Sequence, residues 1–489
     1  MSAVGAVFTG RLLIFILGGL ITPLLTRLLG PSAYGQYATA LAIFGMVKIL
    51  MVSGIDVGAK KYFSEDRSLQ NWKEYVWASY VQLSLLLGGG FALGLVVLSL
   101  SGAISFLLGK SYRPLFYLLA VLALFTQFRT LSLSTLMGLH LEKYSEPIKT
   151  LEKIIFGVIA VGLAALGYDV SGVIFGHIFS VVVTLLICLL IVQNHFDLTQ
   201  FTKRIPKKFP KKELWWFSHT SVIYVFLLSS LYHVDVILLQ IFTTEEAVGY
   251  YKAALVIVGL LWLFPQSVQQ SLIQSVAELW QSESVSKINK LSAKTTRYVF
   301  LLTSLLAVGV AVLADSFVPL YFGESYSPAV TPLLLLLPGT ICFAIARPSL
   351  AITNAKGNMR PLIIATGTGA AINLLLNLLL IPEYKLMGAA VATTLGYTSL
   401  LLTQILCAWY VGYNPISGTR PIRVLVTGLA TGLILYGVAE YLSNSLYKLI
   451  VIPPLGGILF ALIALGSGAV SIDELRTTWT KFSQDTYLK

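Results

Sequence analysis

The sequence predicts an all-α polytopic membrane protein of about fourteen transmembrane helices, arranged as two six-helix lobes related by a same-topology repeat plus two C-terminal helices. Three observations predict it: too little charge for a water-soluble surface, a regular series of bilayer-length apolar runs, and basic residues segregated into alternate loops. The 489 residues are 56% hydrophobic and 11% charged, with a mean hydropathy of +0.81. Soluble domains carry about 25% charged residues, so lipid has to be the outer solvent of this chain.

A hydrocarbon core about 30 Å thick takes about 20 apolar helical residues to cross. On that measure the spans fall near 8–29, 36–58, 76–100, 114–137, 148–167, 170–192, 214–241, 248–273, 294–314, 327–352, 361–381, 387–411, 422–441 and 449–470. No basic n-region or small-residue cleavage site precedes the first run, so a cleavable signal peptide is not expected. The formal charge of +12 would suit nucleic acid if it were spread over a soluble surface. It is not spread. Of the 34 basic residues, seven are taken as intramembrane and four (Lys110, Arg113, Lys385 and Lys448) fall in one set of loops, leaving 23 in the other set of loops, at the span ends that border it and in the tail. Basic residues concentrate on the cytoplasmic side. The sequence is therefore read as a multi-pass cell-membrane protein with both termini cytoplasmic, and no nucleic-acid partner is expected. Cys188, Cys342 and Cys407 all lie in apolar runs and read as small buried hydrophobes.

The loop from Phe196 to Glu213 carries six basic residues with Pro206 and Pro210, which suggests a seam. The expected organisation is an N-lobe over 1–195, a basic cytoplasmic linker over 196–213, a C-lobe over 214–412, and two further helices with a cytoplasmic tail over 413–489. An internal repeat supports two lobes. The segment Ala33–Ile43 matches Ala247–Ile257 at six of eleven positions, each in the outer turn after the first helix of its lobe. Tyr168 and Gly172 likewise echo Tyr384 and Gly388. Two such halves around a central cavity are the architecture of a transporter.

The stretch Leu25-Thr26-Arg27-Leu28-Leu29-Gly30-Pro31 running into Tyr34-Gly35-Gln36-Tyr37 resembles the end of the first helix in polysaccharide and O-antigen flippases. These belong to the multidrug/oligosaccharidyl-lipid/polysaccharide exporter superfamily. Gly388-Ala389-Ala390-Val391-Ala392-Thr393 resembles the start of their twelfth helix. The resemblance in pattern, helix number and repeat spans nearly the whole chain. It implies a passenger made of an oligosaccharide on a polyprenyl phosphate or pyrophosphate, moved by alternating access through a cationic cavity. It also implies membrane lipids as surroundings, with a glycan polymerase or glycosyltransferases as working partners.

The intramembrane cations are Arg11, Arg27, Lys48, Arg129, Lys153, Lys252 and Arg347. A charge at mid-bilayer costs about 2.5–3.5 kcal/mol on insertion scales, so it faces a bundle interior or water. Arg11, Lys153 and Arg347 lie near cytoplasmic helix ends and Lys252 near an outer end, where snorkelling relieves the cost. Lys48 and Arg129 sit midway along their helices and are expected to line the cavity, with an internal ion pair as the rival reading. Arg27 joins them on the strength of the motif. Guanidinium groups offer paired donors to phosphate oxygens. Asp56 is read as ending its helix near water, with pairing to a basic residue as the alternative.

On the seventh span, His219, Ser230 and His233 share a face that suits either a cavity wall or an interhelical hydrogen bond, and His233 is taken as the binding candidate. Asn373 and Asn377, with Thr366, form a polar stripe on the eleventh span. They are candidates for sugar contacts, against helix–helix hydrogen bonding. No catalytic or metal-binding residues are assigned, and no resident cofactor. Gly109-Lys110-Ser111 imitates the end of a phosphate-binding loop, but Ile104 stands where its first glycine belongs. Coupling to H+ or Na+ is left open. A drug/cation antiporter of the same superfamily, a peptidoglycan-precursor flippase and a membrane glycan-transfer enzyme are the rival functions. The first would need acidic ion-binding residues in the leading lobe, and the last a substantial external catalytic loop.

Overall fold

The computed structural model describes residues 3–65, 67, 69–199, 205–216 and 219–471, so Lys203, Arg204 and the C-terminal tail lie outside the described residues. The described residues form fifteen α-helices and no strand. The first eight are α1 (Ala3–Ser64), α2 (Trp72–Leu100), α3 (Ala103–Leu107), α4 (Tyr112–Gly138), α5 (Glu142–Ala165), α6 (Asp169–Val192), α7 (Lys211–Trp216) and α8 (His219–Phe242). They continue as α9 (Glu245–Leu261), α10 (Leu263–Gln281), α11 (Val285–Phe322), α12 (Val330–Ala355), α13 (Met359–Val411), α14 (Pro421–Tyr441) and α15 (Ser445–Gly466).

Ten described helices are long and apolar enough to cross a bilayer, or eleven when α9 and α10, bent by 47° at their junction, count as one span. This is a multi-pass membrane protein. The difference from fourteen has physical causes. α1 and α13, of 62 and 53 residues, each cover two expected spans with a one-residue kink where the sequence suggested a loop. In α1 the kink is Gly30, at φ 70° and ψ 174°, followed by Pro31. Glycine tolerates the positive φ, and the proline has no N–H with which to continue the ladder. In α13 it is Lys385, at φ 49°, three residues after Pro382. The expected span 148–167 lies in α5, whose first three turns hold Glu142, Lys143, Glu146, Lys149, Glu152 and Lys153. Those charges keep it from reading as a simple apolar rod.

The helices pack as two units. One comprises Met1–Lys252 with Ile381–Leu386, the other Ala253–Leu380 with Met387–Lys489. In the first, α4 packs against α1, α2 and α6, α5 against α1 and α6, and α8 along α1. Small residues let these helices approach. A methyl on Gly35 would collide with the Glu245 carbonyl, and one on Gly249 with the Pro31 carbonyl. The two glycines that the internal repeat aligns thus each lie against the backbone of the other's helix.

At one end of this unit Tyr62, Phe63, Trp72, Trp77, Phe196, Phe209 and Leu214 form a buried cluster. The described part of the basic segment, 196–199 and 205–213, is therefore packed down. The Phe209 and Trp72 rings lie 5.2 Å apart, Trp215 Nε1 donates to Ser79 Oγ at 3.1 Å, and Lys211 Nζ donates to Gln82 Oε1 at 2.7 Å. Arg67 clamps the arrangement, bonding Glu65 and Glu213 at 2.8 and 2.9 Å and covering the Trp72 ring.

In the second unit α12 packs on α10 and α11, while α14 and α15 pack on α11 and on each other. Trp262, Phe343 and Tyr397 form an aromatic knot with centroids 4.7–5.6 Å apart. Arg347, expected to snorkel, is instead 4% exposed: it donates to Gln269 Oε1 at 2.9 Å and lies over the Phe343 ring. A carboxamide and an aromatic face replace water as its solvent. Arg297, counted above with a cytoplasmic loop, is buried on α11 over Tyr298. Arg420 and Arg423 both donate to the Gly468 carbonyl, at 2.9 and 3.1 Å, tying the start of α14 to the end of α15.

Candidate functional site

One cavity, about 650 Å3 between α11, α12 and α14, is walled almost wholly by apolar side chains such as Leu337, Ile341 and Leu429. Nothing in it could fix a charged group. A smaller pocket of about 370 Å3 in the first unit is different in kind. It is lined by α1, α4, α5, α6, α8 and α9, and it gathers Lys48, Arg129, Lys252, Glu152, His177 and His233.

Local helix geometry explains how they converge. Tyr34, Tyr37, Leu41, Gly45 and Lys48 recur at three- and four-residue intervals and so occupy one face of α1 below its kink. Leu122, Thr126 and Arg129 do the same on α4. Gly45 lets His233 come close: a methyl there would stand 2.7 Å from His233 Nε2. His177 is held by a 2.9 Å hydrogen bond between its Nε2 and Tyr37 Oη, and by stacking at 3.9 Å on Phe156. Lys153, expected to snorkel, lies over the other side of that wall with Nζ 5.1 Å from the Phe156 centroid.

The electrostatics are lopsided. Arg129 is ion-paired with Glu152, whose Oε2 also accepts from Thr184 Oγ1 at 3.3 Å. Among the described residues, Lys48 and Lys252 make no hydrogen bond or ion pair. Three basic side chains, Lys48, Arg129 and Lys252, stand against one carboxylate in this lining. Lys48 keeps much of its side chain accessible although it lines an internal pocket. In a medium of low dielectric such unpaired charges act strongly on any anion brought among them.

The sequence-selected residues therefore divide. Lys48, Arg129 and His233 come together on this wall. Arg129 fulfils both readings at once, since it lines the cavity and is ion-paired. Lys252, placed by the sequence at an outer end, joins them, two turns into α9 on the face that lines the pocket. Arg27 is exposed on α1 three residues before the kink and does not line the pocket. Asn373 and Asn377 are buried in the second unit, with Asn373 Nδ2 donating to Thr393 Oγ1 at 3.2 Å. Ser230 Oγ turns back to the Leu227 carbonyl, and the His219 side chain lies outside the described residues. Asp56 does not end its helix in water: it pairs with Lys60 at 2.8 Å and accepts from Ser134 Oγ at 2.6 Å. Sequence reasoning missed Tyr37, Glu152 and His177. The periodic stripe that ends in Lys48 would have reached the first, but only the tertiary packing of α5 and α6 brings in the other two.

Residues 2–272 match a family model described as polysaccharide biosynthesis protein. The chain belongs to that family. It is 25% identical over 238 residues to an uncharacterized membrane protein of Methanocaldococcus jannaschii, covering 48% of this chain and 46% of the relative. It is 28% identical over 166 residues to the probable low-salt glycan biosynthesis flippase Agl15 of Haloferax volcanii, covering 33% and 34%. The chain thus spans less than half the length of these relatives. The fold matches the solved structure of the lipid II flippase MurJ in an inward closed conformation, with a TM-score of 0.73 at 15% identity over 94% of this chain and 97% of that one. This member of the polysaccharide biosynthesis family has the fold of a membrane flippase.

Proposed function

We propose that the protein is a flippase that carries a polyprenyl phosphate- or pyrophosphate-linked oligosaccharide across the cytoplasmic membrane. The observation that carries this reading is the pocket in which the Lys48 and Lys252 ammonium groups stand without partners beside the Arg129 guanidinium. Family membership and the similarity to a glycan flippase support it. The phosphate-bearing headgroup leaves water for this pocket, where the two ammonium groups and the guanidinium replace its hydration, and the prenyl chain stays in the bilayer. Tyr34, Tyr37 and His177 offer ring faces and a hydroxyl to the first sugar. Arg27, Asn373 and Asn377 remain binding candidates at other points of the passage.

The action is transport rather than catalysis. The termini face the cytoplasm, where glycosyltransferases build the passenger, and a glycan polymerase or transferase consumes it outside. An H+ or Na+ gradient is the proposed drive. A drug/cation antiporter fits this pocket less well, since its one carboxylate is already committed to Arg129. A peptidoglycan precursor differs from other glycan lipids only in its sugars and peptide. Reconstitution into liposomes with defined lipid-linked glycans tests the proposal. Protein-dependent change of leaflet without turnover of the glycan is expected. Glycan transfer by the purified protein, or no movement of any anionic glycan lipid, overturns it.

A further inference from the structure

The anion site of this pocket is not vacant in the absence of a passenger: a carboxylate of the protein occupies it. Glu152 on α5 pairs with Arg129 on α4, and its Oε2 lies 3.3 Å from the Thr184 hydroxyl on α6, which also has the Ser180 carbonyl at 2.8 Å. The paired side chains retain 16% and 23% of their accessible surface, so the pair faces the pocket and can be reached from it. Lys48 lies within the field of both partners and has no partner of its own. A guanidinium buried in a helix bundle without a counter-charge is much more costly than one that keeps its partner. Yet if the carboxylate served only to neutralise Arg129, it would have no reason to share the pocket wall with two further cations.

We propose that Glu152 is a resident competitor for the passenger's phosphate, which holds Arg129 when the pocket is empty and expels the headgroup by re-pairing. The proposal rests on the flippase reading. A phosphate or pyrophosphate offers the guanidinium two oxygens in fork geometry and displaces the single carboxylate. The freed carboxylate has Lys48 to turn to, so no charge is stranded during the exchange. When the pocket opens to the far side, restoring the Arg129–Glu152 pair favours departure of the headgroup. A carrier site has to bind well enough to load and weakly enough to unload, and Glu152 sets that balance from inside the site. It is a positioning and release residue that acts through Arg129.

The full-length protein in detergent is titrated with farnesyl pyrophosphate. The same variants in liposomes are then assayed for translocation of a fluorescently tagged prenyl pyrophosphate. Glu152→Gln is expected to bind about tenfold tighter, as removal of a competing charged partner allows, while its maximal translocation rate falls by about the same factor. This opposite movement of affinity and rate is not produced by a merely damaged fold. Glu152→Asp keeps the charge but shortens its reach to Arg129, and it should tighten binding in the same direction by a smaller factor. It also serves as the decisive arm should Glu152→Gln fail to fold. Unchanged or weaker binding in the variants, with a binding-competent wild type, overturns the proposal alone. A wild type that neither binds nor moves the prenyl pyrophosphate overturns the flippase reading, and this proposal with it.

Discussion

Lys48 and Arg129 look alike in the sequence, as basic residues midway along apolar helices, but their surroundings assign them different thermodynamic roles. Lys48 has no bonded partner, so Lys48→Ala removes a charge without stranding another. Its melting temperature should reflect a change within about 0.5 kcal/mol, while translocation of a lipid-linked glycan is lost. Arg129→Ala leaves Glu152 uncompensated and should destabilise the protein by about 3–5 kcal/mol. The double variant Arg129→Gln/Glu152→Gln should recover most of that in a thermal melt without recovering transport. Equal destabilisation by the two single variants would contradict this division. That both face the interior pocket was legible from position alone, because a cation eight or more residues inside an expected span is too far from its ends to snorkel comfortably. Which of them was paired was not legible, since Glu152 is 23 residues from Arg129 and meets it only when α4 and α5 pack.

At the scale of elements, two features repay attention. The α7 segment is fastened by Arg67, whose hydrogen bond holds the Glu213 carboxyl below the usual carboxylate range. A lowered folded value means the stabilisation is present above the unfolded carboxyl's pKa of about 4.3 and fades as pH falls through the folded value. The side chains are 32% and 47% exposed, so solvent screening keeps the effect small. Proteolytic nicking within 205–216 should rise at acidic pH in the wild type and be high and nearly pH-independent in Glu213→Gln. The prolines and basic residues of this segment read as a linker because composition reports solvation and not docking. Phe209, Trp215 and Leu214 were the signal that it packs. The other feature is the backbone contact of Gly35 with Gly249. Gly249→Ala should cost about 1–3 kcal/mol by overpacking, read as a lower melting temperature. A neutral result would mean that α1 and α9 can part freely there.

For the whole molecule, the class of fold was readable because hydropathy and loop charge are properties of long windows, which tolerate local error. The exact number of crossings was less readable. Single-residue kinks at Gly30 and Lys385 join what a loop was expected to separate, and charged α5 hides among apolar neighbours. The excess of basic residues in alternate loops predicts cytoplasmic termini. A protease-cleavable reporter fused after Lys489 should therefore be protected in intact cells and cut only after lysis; cutting from outside would reverse the topology.

The excess of basic over acidic side chains in this pocket also bears on how the protein behaves in a test tube. A site of that polarity recruits whatever small anion the buffer supplies, and any ligand that favours the folded state raises stability by mass action. Preparations in phosphate or sulfate should thus melt higher than those in a bulky zwitterionic buffer at equal ionic strength, and Lys48→Ala should shrink that difference. The solution in which the protein is handled then becomes a competitor of the proposed passenger, and a transport assay run in phosphate would understate the rate expected for a lipid-linked glycan.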